Sequence, residues 1–252
     1  MGSIIRLNTT FNNAKLKTLQ DYDASLIKEQ ILALPTLRAF YDATDSETMT
    51  LSGNLVTQLK DLSPNQLHFT QVTNNAPSYD AKAFGHTGGL VFTGAQWLTA
   101  NHLLNGQQVG SVVIFAKGDS DALNVLISSS THATVALYTR SNAIGAMNGG
   151  AVARANHAHI RPTNIILSYN AAKNFAVIQT DHEYPVSNST SGNVNIPSGH
   201  VNLGRWSDSR AEMYVGKIGH VILFNEDLSK NQAVLDLINE YAKRKYRFGM
   251  SI

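Results

Sequence analysis

Trp206 is the residue whose type and surroundings most directly suggest a binding chemistry. It lies in the polar stretch GRWSDSR, with Arg205, Asp208 and Arg210 beside it. An exposed indole can stack on the apolar face of a sugar ring while polar neighbours bind the hydroxyl groups. These residues are therefore a candidate glycan-binding site. The alternative, which we favour for the indole itself, is that Trp206 anchors its loop to the core; Trp97 is predicted to be a core residue in a strand.

Two pairs of residues could contribute to a metal site. Asp119 and Asp121, in the predicted turn KGDSD, offer oxygen ligands of the kind that calcium prefers. Paired aspartates are also simple turn formers, so calcium binding and a structural role both stay open. His157 and His159 would share one face of a strand, but no third ligand lies nearby in the sequence, which favours a hydrogen-bonded or exposed pair.

A glycosidase site on a β-strand would need two carboxylates that face the same cleft. The sequence has no Glu-x-Asp-x-x-Glu run, and Asp181 and Glu183, which are two apart, precede Pro185 and a polar stretch that favour a strand end or turn. It also has no nucleophile elbow, phosphate loop or dinucleotide fingerprint, and residues 145–150 are predicted to form a glycine-rich loop or a hairpin tip. The sequence therefore favours a non-catalytic protein.

The clearest structural pattern is at the C-terminal end. Val215–Phe224 is rich in β-branched and aromatic residues and is predicted to be a buried strand. Polar residues 225–227 predict a turn, and Ser229 with Gln232 has the spacing of a helix N-cap and capping box. The helix that follows has apolar residues at steps of three and four, which predicts one buried face. That face consists of Val234, Leu235, Ile238, Tyr241, Ala242 and Tyr246.

The rest of the chain is typical of β structure with one further helix. Apolar runs of strand length cover residues 109–116, 123–128, 133–138, 163–169 and 174–179, and residues 187–199 have the composition of an exposed loop. Helical spacing over residues 14–34 ends at Pro35. This segment is either a helix packed on the sheets or a device for assembly, and both interpretations stay open.

Composition excludes several classes of function. Of the 252 residues, 43% are hydrophobic and 15% are charged, which is enough apolar material for a substantial core. A formal net charge of +2 is too small to indicate nucleic-acid binding. The absence of cysteine excludes disulfides and thiol chemistry. No stretch has the length of a membrane span, and the N-terminal residues do not have the pattern of a signal peptide, so we expect no membrane insertion.

Three stretches, in a fixed order, carry a family resemblance. Residues 37–71 read LRAFYDATDSETMTLSGNLVTQLKDLSPNQLHFTQ, residues 88–100 read GGLVFTGAQWLTA, and the third begins GKIGHVILFNEDLS and ends YAKRKYRF. In the first stretch the matching residues are Tyr41, Asp42, Ala43, Asp45, Asp61, Ser63, Asn65 and Gln71. Together the stretches resemble the concanavalin A-like, laminin-G-like jelly-roll domains of the lectin and glucanase superfamily. The resemblance implies an all-β fold, a two-sheet antiparallel jelly-roll sandwich with an N-terminal arm or helix and a C-terminal helix.

The resemblance also implies a function and partners, which are expectations. The chain is divided into an arm of residues 1–34 and a jelly-roll domain of residues 35–252. It is similar to non-catalytic proteins of bacteriophage and prophage virions, which implies a location on the virion surface and a role in glycan or receptor binding or in capsid decoration. Expected partners are other copies of the chain, most simply in a trimer, other virion proteins bound through residues 1–34, and a cell-surface glycan. The alternatives are a laminarinase-like glycoside hydrolase and a purely architectural particle protein.

Overall fold

The computed structural model describes residues 19–72, 74–119, 123–130, 135–140, 143–148, 151–155, 161–173, 175–180, 183–189, 199–206 and 213–247. Within these ranges the chain forms strands throughout, with an α-helix near each end. The helices are α1 (Leu19–Leu32) and α2 (Gln232–Tyr246). The strands are β1 (Leu37–Asp42), β2 (Met49–Ser52), β3 (Leu55–Leu59), β4 (Phe69–Thr70), β5 (Ser78–Asp80), β6 (Gly89–Thr93), β7 (Leu98–Asn101), β8 (Val109–Gly118), β9 (Asn124–Ser129), β10 (Val135–Arg140), β11 (Ala143–Asn148), β12 (Ala151–Ala155), β13 (Thr163–Asn170), β14 (Phe175–Thr180), β15 (Glu183–Ser189), β16 (His200–Leu203) and β17 (Val215–Phe224).

The strands pair antiparallel in one continuous ladder that folds into two layers. In the back layer, β17 pairs along one edge with β8 and along the other with β1 and β6, and the ladder continues from β8 through β13 and β14 to β15. In the front layer the order is β2, β3, β4, β7, β16, β9, β10, β11 and β12. Strand β5 connects the layers because it pairs with both β3 and β6.

The main core lies between the two layers, where alternate side chains of each strand meet. On β8, Val112 and Ile114 enter this core, whereas Val113 and Phe115 belong to clusters on the opposite face. On the front layer, Leu98 of β7 and Val201 of β16 enter the same core. This arrangement confirms the predicted all-β, two-layer jelly-roll sandwich.

Helix α2 covers the outer face of the back layer. The six apolar residues predicted to form its buried face are all buried. The predicted N-cap is wrong, because Ser229 lies in a short 3-10 turn that Asp227 caps. The N-cap of α2 is Asn231, whose side-chain oxygen accepts a hydrogen bond from the Val234 N–H at 3.3 Å. The polar residues before the helix therefore form an extra turn, which moves the helix start along the chain.

Helix α1 packs beside α2 on the same outer face. Its Ile27 and Ile31 are buried in a cluster with Phe40 of β1 and Ile238 of α2. The helix lies within the predicted segment 14–34, of which residues 14–18 are outside the described ranges. Among the described residues, no helix is long and apolar enough to cross a membrane. A role of residues 1–34 in assembly stays a prediction.

A charged clamp ties both helices to the back layer. Asp42 of β1 is fully buried, and its Oδ2 lies 3.4 Å from Lys28 Nζ of α1 and 3.5 Å from Lys245 Nζ of α2. Burial, which raises the pKa of Asp42, is outweighed by Lys245, Lys28 and the hydrogen bonds from Thr44, so that the pKa falls to about 2. The carboxylate is therefore ionised at neutral pH and holds three elements together.

The acidic run that carries the family resemblance has a structural role. Asp61 Oδ1 accepts hydrogen bonds from the N–H groups of Phe40 and Ser63, each at 2.9 Å. Asp61 Oδ2 accepts from Ser63 Oγ at 2.8 Å and from the Leu67 N–H at 2.9 Å. One buried carboxylate thus satisfies three backbone donors of an irregular loop and fixes it against β1.

Two segments predicted from the sequence differ in the structure. Residues 145–148, predicted to be a loop or a hairpin tip, belong to β11, which pairs antiparallel with β12, and residues 149–150 are outside the described ranges. Residues 185–189, predicted to be a strand end or turn followed by an exposed loop, belong to β15, which pairs with β14, and residues 190–198 of the predicted loop lie outside the described ranges. Proline is tolerated in a strand that has a partner on one side, because its missing N–H can face away from the ladder.

Candidate functional site

An open groove lies on the outer face of the front layer. Its volume is about 470 Å³. Strands β4, β7 and β16 form its floor, and the segments on either side of them form its walls. The lining residues are Thr70, Val72, Trp97, Thr99, Asn101, His200, Asn202 and Arg205. The groove therefore combines an aromatic ring with hydroxyl, amide, imidazole and guanidinium groups.

Strand alternation places polar groups on the groove floor. On β7, Leu98 and Ala100 point into the core, so Thr99 and Asn101 face the opposite side. The neighbouring strand β16 repeats the pattern, with His200 and Asn202 in the groove. The register places His200 beside Asn101 and Asn202 beside Thr99. Four polar side chains thus converge because two short strands pair in this register.

Asn202 and Ser128 hold the segment that follows β16 over the front layer. Asn202 is fully buried; its Oδ1 accepts from Thr99 Oγ1 at 3.0 Å and its Nδ2 donates to the Trp206 carbonyl at 3.3 Å. Ser128 Oγ donates to the Arg205 carbonyl at 3.0 Å. Gly204, which lies between Asn202 and Trp206 in the chain, has φ +91°, and a Cβ there would meet the Phe92 ring at 2.5 Å. Glycine is therefore required at the corner that delivers Arg205 to the groove.

Trp97 and Arg205 form the wall of the groove. The guanidinium carbon of Arg205 lies 4.6 Å from the centroid of the Trp97 ring, which is a cation–π contact. Trp97 is half-buried and precedes β7, where its N–H donates to the Asn75 carbonyl at 3.3 Å. The prediction that Trp97 is a core residue in a strand is therefore wrong. It failed because the bend after β6 turns the indole out of the core.

Trp206, by contrast, is buried. It is 8% exposed, and its ring meets Tyr138 edge-on at 5.5 Å in a cluster with Val125 and Ala136. This geometry fits the anchoring interpretation of the indole. Among the predicted glycan-binding residues, the structure places Arg205 in the groove and Trp206 in the buried cluster with Tyr138, while Asp208 and Arg210 lie outside the described residues. The role of these four residues in glycan binding stays a prediction.

Sequence reasoning missed the groove residues other than Arg205. The signal that could have identified them is the alternation in LTAN and HVNL, where polar residues occupy every second position. Those runs are short, and the pairing of β7 with β16 joins parts of the chain that are far apart in sequence. Trp97 could have been recognised only as a tryptophan that immediately precedes such a run.

The remaining candidate residues are not brought together by the described structure. Asp119 follows β8, is exposed, and donates its backbone N–H to the Val215 carbonyl at 3.1 Å, whereas Asp121 lies outside the described residues. His157, His159 and Asp181 also lie outside them, and Glu183 begins β15. In the part of the chain that the structure describes, no group of three or more acidic or histidine residues could hold a metal ion. Calcium binding stays a prediction.

A second, smaller cavity of about 280 Å³ lies between the two helices and the back layer, above the clamp of Asp42. Beneath α2, His220 is fully buried, and its Nδ1 lies 3.1 Å from the Tyr246 hydroxyl. Burial lowers the pKa of His220 to about 3, so the ring is neutral at ordinary pH. These titratable groups stabilise the helices and lie on the opposite layer from the groove.

Comparison with known proteins shows similarity of fold. No family model and no curated protein sequence matches the chain. A solved structure of domain 4 of AbnA, a GH43 extracellular arabinanase from Geobacillus stearothermophilus, in complex with arabinotriose, matches with a TM-score of 0.54 and 14% identity, over 80% of this chain and 98% of that chain. The botulinum neurotoxin serotype D binding domain matches with a TM-score of 0.56 and 12% identity, over 81% of this chain and 52% of that one.

A third structure, Trypanosoma rangeli sialidase in complex with the inhibitor DANA, matches with a TM-score of 0.53 and 10% identity, over 89% of this chain and 37% of that one. Identities this low show a shared fold and do not transfer a function. The chain is thus similar in fold to these three structures.

Proposed function

We propose that this protein is a glycan-binding module and that the groove on the front layer is its binding site. The observation that carries this proposal is the half-buried Trp97 ring standing at the wall of an open groove whose floor is polar. Sugar rings have an apolar face and a hydroxyl-bearing edge, and this arrangement offers a partner to each.

Each lining group has a role in such binding. The Trp97 indole and the exposed Val72 supply apolar contact. Asn101 and His200 lie side by side and supply hydrogen-bond donors and acceptors for hydroxyl groups. Asn202 is fully buried and bonded to Thr99, so it holds the floor rigid and limits what binding must order.

The comparisons support the proposal at the level of fold. One neighbour is a domain of an arabinanase in complex with arabinotriose, and another is the binding domain of a neurotoxin. Both share the fold of this chain, and we assign to this chain the role of a recognition module built on that fold. The position of the binding site follows from the groove of this chain and not from the neighbours.

A glycan array followed by calorimetry tests the proposal. We expect binding of a restricted set of glycans and a loss of at least tenfold in affinity for Trp97→Ala, because stacking on an aromatic ring is worth about 1 to 3 kcal/mol. Trp97→Phe should retain part of the affinity, and Leu51→Ala, which removes an exposed side chain elsewhere, should change nothing. Absence of binding to any glycan, or equal binding by Trp97→Ala, would contradict the proposal.

The hydrolase alternative is tested with the same glycans. Among the described residues that line the groove there is no carboxylate, whereas glycoside hydrolysis ordinarily uses two. We therefore propose binding without turnover. Incubating the bound glycan with the protein and analysing the products by chromatography checks this, and cleavage that survives repurification would favour the hydrolase.

The virion location, the trimer and the contacts of residues 1–34 with other virion proteins stay predictions. Light scattering after chromatography gives the number of chains in the particle. The informative truncation removes residues 1–18 and keeps α1, because deleting α1 would expose the apolar cluster around Ile31 and open the clamp of Asp42. A purely architectural protein would assemble normally and bind no glycan.

A further inference from the structure

We infer that the binding surface continues beyond the groove to the edge strand β2 and accepts an extended saccharide chain that crosses several strands, with Gln58 and Thr50 as a second subsite. This inference rests on the proposed function and adds the shape of the ligand and the direction in which it lies. It assigns to Gln58 a role in binding that is separate from the role of Trp97 as an apolar platform.

A row of polar side chains crosses the outer face of the front layer. The strand registers pair Thr50 of β2 with Gln58 of β3, and Gln58 with Thr70 of β4. They also pair Thr70 with Thr99 of β7, and Thr99 with Asn202 of β16. Residues directly opposite each other in antiparallel strands have their side chains on the same face of the sheet. These polar side chains therefore form one line perpendicular to the strands.

The part of the row on β2 and β3 faces outward and is open to solvent. Met49, which precedes Thr50, and Leu59, which follows Gln58, both lie in the core between the layers. By strand alternation, Thr50 and Gln58 point away from that core. Thr50 is exposed and Gln58 is partly exposed, as is expected of groups that a ligand can reach. The polar surface thus continues past Thr70, where the groove described above ends.

The row is closed at one end and open at the other. Beyond Asn202, strand β9 places Ser128 in the same row, and the Ser128 hydroxyl donates to the Arg205 carbonyl at 3.0 Å. The segment after β16 therefore lies over this end. At the other end, among the strands that the structure describes, β2 pairs with β3 alone. A ligand that lies along the row can therefore extend over β4, β3 and β2, whereas the segment after β16 stops it at β9.

The dimensions of the surface favour a ligand that crosses the strands. Strand β4 has two residues, and β7 and β16 have four each, so a chain that ran along the strands would soon leave the polar floor. Neighbouring strands are about 4.8 Å apart, so the three steps from Thr99 to Thr50 span roughly 14 Å. A pyranose unit in an extended chain advances by a similar distance, so each strand crossed can meet one sugar unit.

Gln58 and Thr50 have the chemistry of a sugar subsite. Thr50 Oγ1 lies 3.4 Å from Gln58 Oε1, so the two side chains meet above the pairing of β2 with β3. The carboxamide carries donors and an acceptor, and the threonine hydroxyl group can act as either. Together they can bind the hydroxyl groups of a sugar unit that lies farther along the chain than the unit on Trp97.

The first test measures affinity against ligand length by calorimetry. The ligand is the best-binding glycan of the array, prepared with one linkage as a series from the disaccharide to the hexasaccharide. We expect the affinity to rise about tenfold from the disaccharide to the tetrasaccharide, because two further units then reach Gln58 and Thr50 with about one hydrogen bond each. Longer members of the series should gain little, since β2 is the last strand of the row.

Gln58→Ala isolates the second subsite. It should weaken tetrasaccharide binding about three- to tenfold, the range for one lost hydrogen bond, and leave the disaccharide unchanged, which also shows that the fold is intact. Trp97→Ala should weaken both ligands. The matched control is Gln179→Ala, which removes a partly exposed glutamine from β14 of the back layer and should change neither affinity. Leu51→Ala should also change neither, because Leu51 lies opposite the core residue Val56.

The outcomes separate this inference from the proposed function. Binding that requires Trp97 but is independent of ligand length would overturn the inference and leave the proposed function standing. The same holds for equal affinities of the wild type and Gln58→Ala for every ligand. Equal losses for the disaccharide and the tetrasaccharide in Gln58→Ala, or a comparable loss in Gln179→Ala, would also overturn the inference, because the effect would then not be local to a second subsite. No binding to any glycan would overturn both.

Discussion

The outer faces of both layers consist of antiparallel strands, but they differ in how far other parts of the chain cover them. On the back layer, α1 and α2 cover the outward side chains, and the polar groups there, Asp42 and His220, are fully buried. On the front layer, the Trp206 side chain covers Val125, Ala136 and Tyr138, and an open groove lined mostly by polar side chains lies beside it. Whether other elements cover a face, and not the pattern of its strands, therefore decides whether its polar side chains are buried or open to a ligand.

The comparison separates polar groups that stabilise the fold from those that remain open to a ligand. A buried charge must be compensated, and Asp42 is surrounded by Lys28, Lys245, Thr44 and Tyr241. Asn101 is exposed and His200 is partly exposed, so both keep contact with solvent. Substitutions on the back layer should therefore change the free energy of unfolding, and those in the groove should change binding.

The largest expected effect is that of Asp42→Ala. It removes the shared partner of the two lysines and should lower the free energy of unfolding by about 4 kcal/mol, the range for breaking a buried ion pair. Urea denaturation measures it. The matched change in the groove, Asn101→Ala, should stay within about 0.5 kcal/mol. Equal losses at both positions would remove the distinction between the two faces.

The second largest expected effect on the free energy of unfolding is that of Trp206→Ala, which tests the covered part of the front layer. Because the indole is buried against Tyr138, its removal should lower the free energy of unfolding by about 3 kcal/mol. Thermal or urea unfolding gives the value. A loss of glycan binding without any loss of stability would instead assign Trp206 a direct role in the site.

The pH dependence of stability sharpens the description of the back layer. Burial lowers the pKa of His220 from 6.5 to about 3, so below pH 6.5 the unfolded chain binds a proton that the folded chain does not. As the pH is lowered through this window, the free energy of unfolding should decrease, by about 2 kcal/mol at pH 4.5. The contribution of Asp42, with a pKa lowered from 3.8 to about 2, should persist until the pH falls below 3.8.

His220→Phe is the control for that pH dependence. It removes the titrating group and the contact with Tyr246, so the variant should start from a lower stability and lose less of it between pH 6.5 and 4.5. Urea unfolding at several pH values compares the two slopes. Parallel curves would show that another group is responsible.

Trp97→Ala should lower the free energy of unfolding less than Asp42→Ala or Trp206→Ala does. The half-buried indole loses its contact with Arg205, which is worth about 0.5 to 1 kcal/mol at an exposed site. The free energy of unfolding should therefore decrease by only about 1 kcal/mol, while glycan binding is lost. A loss as large as that of Trp206→Ala would show that Trp97 belongs to the core.

The structural features that could be predicted from the sequence are those that depend on local periodicity. The strand Val215–Phe224 and the six buried residues of α2 follow from patterns within a single element, and the structure confirms them. The start of α2 was misplaced because Asn231 and Ser229 are both good caps, and the turn at Leu228–Lys230 decides between them.

The sequence by itself determined the all-β class and the buried faces, because alternation and helical spacing require only neighbours along the chain. Only the tertiary structure decided which tryptophan lies beside Arg205. Trp206 is adjacent to it in sequence but turns into the cluster with Tyr138, whereas Trp97 reaches it across the pairing of β7 with β16. Contacts between strands depend on register and on the corner at Gly204, and a linear pattern does not specify either one.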